Sequence, residues 1–199
     1  MKRFSLLLIT VMILPLSSTL LANDAAQKLV ENTTTTIQAG LAAEQAAIKK
    51  DPKIAVALVE KVVLPQFNFT KMSKKALGKN WKKMNDSQKT LFIKEFKTLL
   101  VRTYSATLVD NYDQKIKYLP WKSKKGGKIV LVRTELVQPG GFPIPLNYKL
   151  SKLKDGSWKV IDVIIDGISL VKNYKKSFAK EIRATSIDKF IVRLQESNQ

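Results

Sequence analysis

The sequence predicts an α+β fold in a single domain. Three observations carry that reading. Apolar residues recur at spacings of three and four through the first half of the chain, the period drops to two from Gln114 to Asp166, and it becomes helical again beyond Gly167. Helices, then a run of strands, then helices is the order of a segregated α+β domain, whereas parallel sheets alternate strand and helix. At 199 residues, 45% of them hydrophobic, the chain can build one sizeable core but not two large independent ones.

Residues 1–22 have the layout of a secretory signal peptide: Lys2 and Arg3, an apolar run from Phe4 to Leu16 broken at Pro15, then small and polar residues up to Ala22. That run falls short of the ~20 apolar residues that span a bilayer. Residues 23–199 are therefore expected as the exported mature domain, and no other segment approaches a spanning length.

The first predicted helix covers Asp24 to Lys50, with Leu29, Thr33, Ile37, Leu41 and Ile48 on one weakly apolar face. A second starts at Pro52 and stops before Pro65, since proline fits a first turn and disfavours helix in the residue before it. A short third helix carries Met72, Ala76 and Leu77 and ends at Gly78. The strongest helical signal begins at Asn85, where Gln88 completes a capping-box spacing, and presents Phe92, Phe96, Leu99, Leu100, Thr103, Tyr104 and Leu108 along one side.

Four strands follow at 114–120, 128–137, 143–153 and 158–166, separated by the turn sequences KSKKGG, QPGGF and KDGS, which imply an antiparallel meander. In the last strand strict alternation places Ile161, Val163 and Ile165 on one aliphatic face, and Trp158, Val160, Asp162, Ile164 and Asp166 on the other. The stretches from Ile168 to Ser186 and from Ser186 to Ser197 close the chain as helices.

Composition narrows the chemistry. There is no His and no Cys, which removes the commonest general base, the thiol nucleophile, any disulfide framework and nearly every transition-metal site. No metal, cofactor or catalytic residue is expected. Three S-x-x-K spacings, beginning at Ser151, Ser169 and Ser177, lack the companion motifs of penicillin-recognising enzymes and read as chance in a lysine-rich chain. Asp162 and Asp166 lie roughly 13 Å apart along a strand at about 3.3 Å per residue, too far for a retaining glycosidase pair, and read as surface or loop-capping groups.

The formal charge of +19, or +17 without Lys2 and Arg3, favours anionic partners. Lysine pairs at Lys74 and Lys75, Lys82 and Lys83, Lys124 and Lys125, and Lys175 and Lys176 lie near Trp81, Trp121 and Tyr174, a mixture that a single-stranded nucleic-acid groove also uses. Export argues against nucleic acid, and solvated helix faces account for most of these charges.

Three ordered stretches, spanning roughly Ile54 to Leu194 and containing LGKNW, EFKTLLVRTY, VRTELVQPGGFPIPLNYKL and DGISLVKNY, resemble the MlaC family, also called the toluene-tolerance Ttg2D family. The resemblance implies a cone-shaped, NTF2-like fold: an antiparallel sheet of about four strands wrapped by N- and C-terminal helices around an apolar cavity. It implies a periplasmic carrier of phospholipid that performs no covalent chemistry. Family members shuttle phospholipid between an outer-membrane lipoprotein–porin complex and an inner-membrane ABC transporter bearing an MCE-domain protein, which keeps the outer leaflet free of phospholipid. The chain is expected to act as a monomer.

On that basis Val130, Val132, Leu146, Tyr148, Val163 and Ile165 are expected as the sheet wall of a lipid cavity. Phe92, Phe96, Leu100 and Tyr104 of the long helix, with Leu170, Val171 and Tyr174 of the next, would form the opposite wall. Ordinary core packing is the competing reading for each, and a one-residue slip of a strand would exchange the whole set. Nearby lysines and Arg102 are the head-group candidates. Two other classes remain open: an NTF2-like enzyme acting on a small hydrophobic substrate through Tyr104, Asp162 or Tyr148, and a basic interaction module with a filled core.

Overall fold

The computed structural model describes residues 18–124 and 126–199. Residues 1–17 of the expected signal peptide, and Lys125 of the first hairpin turn, lie outside the described residues.

The α+β order holds. Helices α1 (Ser18–Ala43) and α2 (Gln45–Lys50) replace the single predicted N-terminal helix. Glu44 bends the axis by leaving helical angles at φ −100° and ψ 11°, while its backbone N–H still reaches the Gly40 carbonyl at 3.1 Å. Beyond Pro52, α3 (Lys53–Leu58) continues as a π-helical stretch, Val59–Val63, and a 3₁₀ turn, Leu64–Gln66, instead of the expected uniform α-helix up to Pro65. The proline supplies no N–H to an α-helical ladder, so the chain widens before it and tightens across it.

Helix α4 (Phe69–Leu77) is capped by the Asn68 side chain, which accepts from the Lys71 N–H at 2.8 Å. It stops at Gly78, whose φ of 56° and ψ of −120° suit glycine alone. A 3₁₀ segment, Gly78–Lys83, leads to α5 (Asp86–Asp110), where the Asn85 and Gln88 capping box forms in both directions.

The sheet is an antiparallel meander in the order β1 to β5: β1 (Ile116–Lys124), β2 (Ile129–Leu136), β3 (Ile144–Lys152), β4 (Trp158–Ile165) and β5 (Ile168–Ser169). The fifth strand, unanticipated, is two residues long and follows a tight turn with φ of 47° at Asp166 and 77° at Gly167. Strand β1 does not end at Pro120 as its proline suggested; a register shift between Leu119 and Lys122 lets the edge strand carry the residue that cannot donate.

A second shift matters more. Leu150 pairs with Val160 and Lys149 with Asp162, so Ile161 is an extra residue and the alternation of β4 changes phase there. Trp158 and Val160 consequently share a face with Val163 and Ile165, and the predicted strict alternation is corrected at this bulge. Helices α6 (Leu170–Ala184) and α7 (Ile187–Ser197) complete the fold.

Side chains pack in three clusters. The first packs Met72, Ala76 and Leu77 of α4 with the rings of Phe92 and Phe96 of α5, Phe178 of α6 and Phe190 of α7, whose centroids lie 5.0–5.9 Å apart. The second seats Ala26 and Val30 of α1 on Val130, Val132, Leu150, Trp158 and Val160 of the sheet. The third packs Ile37 and Leu41 against Ile48, Ala55 and Val59.

Candidate functional site

The space between these clusters is not filled. A hollow of about 450 Å³ lies between the sheet, the middle of α1, the second half of α5 and the π and 3₁₀ turns before α4. Its volume falls within the ~300–1,000 Å³ usual for small-molecule sites. The sheet contributes Leu136, Ile144, Leu146, Tyr148, Val163 and Ile165; α5 contributes Leu100, Val101, Tyr104, Ser105 and Leu108; α1 contributes Leu29, Val30, Thr33 and Ile37. Val59, Val63, Leu64, Phe67, Phe69 and Met72 close another side.

The polar members of this wall are largely turned away from it. The Thr33 hydroxyl donates to the Leu29 carbonyl at 2.6 Å and the Ser105 hydroxyl to the Val101 carbonyl at 2.6 Å, so both present mainly carbon to the interior. At one end, Gln38 of α1 donates to the Gln114 carbonyl at 3.0 Å, tying α1 to the turn between α5 and β1. A more open, polar depression lies beyond, sharing Thr34, Gln38, Tyr112 and Ile116 with the hollow.

The structure separates the expected wall residues into two groups. Leu100, Tyr104, Leu146, Tyr148, Val163, Ile165 and Leu170 line the hollow together. Phe92, Phe96 and Val171 sit instead in the closed aromatic cluster, with Tyr174 packed against it, and Val130 and Val132 are fully buried under α1. Their expected place on the cavity wall is corrected: α5 rotates its two phenylalanines toward α6 and α7, and Ala26 and Val30 cover the near end of the sheet. Arg102 lies on the surface, where its guanidinium donates to the Ser197 carbonyl at 3.0 Å and so anchors α7.

The α1 lining was not anticipated. Its only trace in the sequence is a stripe of Leu29, Val30, Thr33 and Ile37 mixing hydroxyl with aliphatic groups, too weakly apolar for a core helix. The lining from Val59 to Leu64 falls in the stretch read as a helix before Pro65, and its π-helical and 3₁₀ backbone departs from the α-helical period by which a wall-facing stripe could have been assigned.

The candidate acid and base groups fit catalysis poorly. Burial, and secondarily the neighbouring Tyr174, push the Tyr104 hydroxyl up to about 12, and burial raises Tyr148 further, so both stay protonated at neutral pH. Tyr118 at the edge of the polar depression is also raised by burial. Asp162 does not line the hollow. Its carboxylate accepts from the Ser169 hydroxyl at 2.6 Å and the Val171 N–H at 3.2 Å, where it caps α6. Among the described residues no group of three or more acidic side chains could hold a metal ion.

A family model described as MlaC protein matches residues 31–196, which include all of the residues lining the hollow except Leu29 and Val30. The chain belongs to the MlaC family. Among similar MlaC-type proteins, the intermembrane phospholipid transport system binding protein MlaC of Haemophilus influenzae is 27% identical over 198 residues, covering 98% of this chain and 92% of that protein. Toluene tolerance protein ttg2D of Pseudomonas putida is 26% identical, with 80% of this chain and 74% of that protein covered. A solved phospholipid-binding protein from Ralstonia solanacearum, in complex with a phospholipid, superposes with a TM-score of 0.79 at 26% identity, covering 87% of this chain and 96% of that one.

Proposed function

We propose that this chain is a periplasmic phospholipid carrier, exported by a cleaved signal peptide, which moves phospholipid between the outer and inner membranes and so maintains outer-membrane lipid asymmetry. The observation that carries the proposal is the unfilled apolar hollow, at a place in the fold where ordinary globular domains close their core. Each methylene exposed to water costs about 0.8 kcal/mol, so a lipid with two chains of more than about ten carbons faces a barrier well above 10 kcal/mol if it travels free. A hollow of carbon surface removes that barrier by standing in for the bilayer. It needs no bond-making groups, in keeping with tyrosines held protonated and an Asp162 committed to a helix cap.

Membership of the MlaC family supports the reading, as do the phospholipid-binding names of the relatives from Haemophilus influenzae and Ralstonia solanacearum. The partners that follow are an inner-membrane ABC transporter with an MCE-domain protein and an outer-membrane lipoprotein–porin complex, each met by a monomeric carrier. The test is solvent extraction of the purified protein followed by mass spectrometry. Phospholipid at near one molecule per chain is expected; repeated absence of lipid from protein isolated out of the periplasm sinks the proposal.

A further inference from the structure

The connection between β2 and β3 combines an exposed aromatic ring with a long uncharged stretch. Phe142 is 93% exposed, the most exposed of the large hydrophobic side chains among the described residues, and every residue from Pro139 to Pro143 is exposed. In a chain with 26% charged residues, none stands between Glu135 and Lys149. The tip is a turn in which the Gly141 N–H donates to the Gln138 carbonyl at 3.3 Å, with Pro139 first and Gly140, at φ 71°, second of the central pair.

That chemistry suits entry into a lipid interface. Two of the six residues from Gln138 to Pro143 are prolines without an N–H, and the Gly141 N–H is already used, so few backbone donors would lose water on insertion. The base of the same hairpin supplies Leu136, Gln138, Ile144 and Leu146 to the hollow, so the apolar surface runs from the tip to the cavity wall without a charge. At the same end, β5 begins with Ile168, which is 61% exposed and pairs with Ile165 of the cavity wall.

We propose that the Gln138–Pro143 hairpin tip is a bilayer-contact site, with Phe142 dipping into the acyl boundary of an anionic phospholipid surface while the hollow exchanges its cargo. This rests on the carrier reading above and adds to it the place where the carrier touches lipid. The large positive charge of the chain draws the protein toward anionic lipid over distances at which a single phenyl ring exerts no pull, and Phe142 then sets the orientation.

The chain has no cysteine, so Phe142→Cys gives a single attachment point for an environment-sensitive dye. Vesicles of phosphatidylethanolamine mixed with phosphatidylglycerol should blue-shift a dye at that position, and vesicles of phosphatidylcholine alone should shift it far less. Phe142→Ser should lower partition of the unlabelled protein into the anionic vesicles about tenfold. Its melting temperature and co-extracted phospholipid should match the wild type, because the ring packs on nothing inside. Equal partition of wild type and Phe142→Ser, or an unshifted dye, overturns the proposal. So does vesicle partition by neither protein when a purified acidic partner protein still binds the tip. A wild-type protein that carries no phospholipid counts against the carrier reading instead, and vesicle partition still decides the role of the tip.

Discussion

Replacing Val163 with glutamate tests whether the hollow holds lipid tails. Val163 lines the hollow beside Tyr148, its cross-strand partner, and is 8% exposed. In the empty protein an introduced carboxylate can keep its hydration, since the hollow admits water. Loading two acyl chains strips that water, and the cheapest response is to protonate. A glutamate with an ordinary pKa near 4.3 must then be neutralised at pH 7, a shift of about 2.7 units costing about 3.7 kcal/mol, or roughly 500-fold in affinity. At pH 5 the shift is only about 0.7 units, worth about 1 kcal/mol and roughly fivefold. The pKa is raised by loading, so affinity is poorest at high pH and recovers as the pH falls toward the unperturbed value. Equilibrium binding of a fluorescent phospholipid to Val163→Glu, measured at both pH values, reads the difference directly. Val132→Glu is the control: its side chain is fully buried under α1, so it should lose about 4 kcal/mol or more of folding stability whether or not lipid is present. Wild-type affinity of Val163→Glu at pH 7, or a loss that does not shrink at pH 5, refutes the assignment of this wall to acyl chains.

Asp162→Ala removes the acceptor for Ser169 and the Val171 N–H and should cost about 1–2 kcal/mol in urea denaturation, with Asp162→Asn recovering part of it. The Tyr104 hydroxyl is neutral in the fold up to about 12, so the stability it lends is fully present below pH ~10 and lost as pH rises through its raised value. In ultraviolet titration the step removed by Tyr104→Phe should be centred near 12, and a removed step near 10 contradicts its burial. Phe178→Ala leaves a void among Phe92, Phe96, Tyr174 and Phe190 and should lower stability by about 3–5 kcal/mol, while phospholipid content below the new melting point stays unchanged.

Elements with a strong local signal were legible. Asn85 and Gln88 announced the start of α5 before its capping box was seen, and Gly78 announced the end of α4, because caps and positive-φ glycines act within a few residues. The four long strands were legible from alternation and turn residues for the same reason. Periodicity alone did not tell which inward-facing residues meet a void. Leu100 and Phe96 occupy the same stripe one turn apart, yet one borders the hollow and the other is packed among rings, and only the positions of α6 and α7 decide between them. The bulge at Ile161 was equally hidden. An extra residue is defined by the partner strand, so Val160 read as facing away from Val163 although the two share a side.

The three packed regions border the hollow, with the half-buried Phe67 and Tyr104 joining the aromatic cluster to the one on the sheet. Each is already consolidated within itself, by rings, by strand against helix, or by helix against helix. Val30, Met72, Leu100 and Val163 nevertheless line the hollow as well, so much of the wall is also part of what holds the molecule folded. Leu146 and Ile165 line the hollow from the partly buried margin of the sheet cluster, so a change of side-chain size there should reshape it with less disturbance of the scaffold than one at Val163.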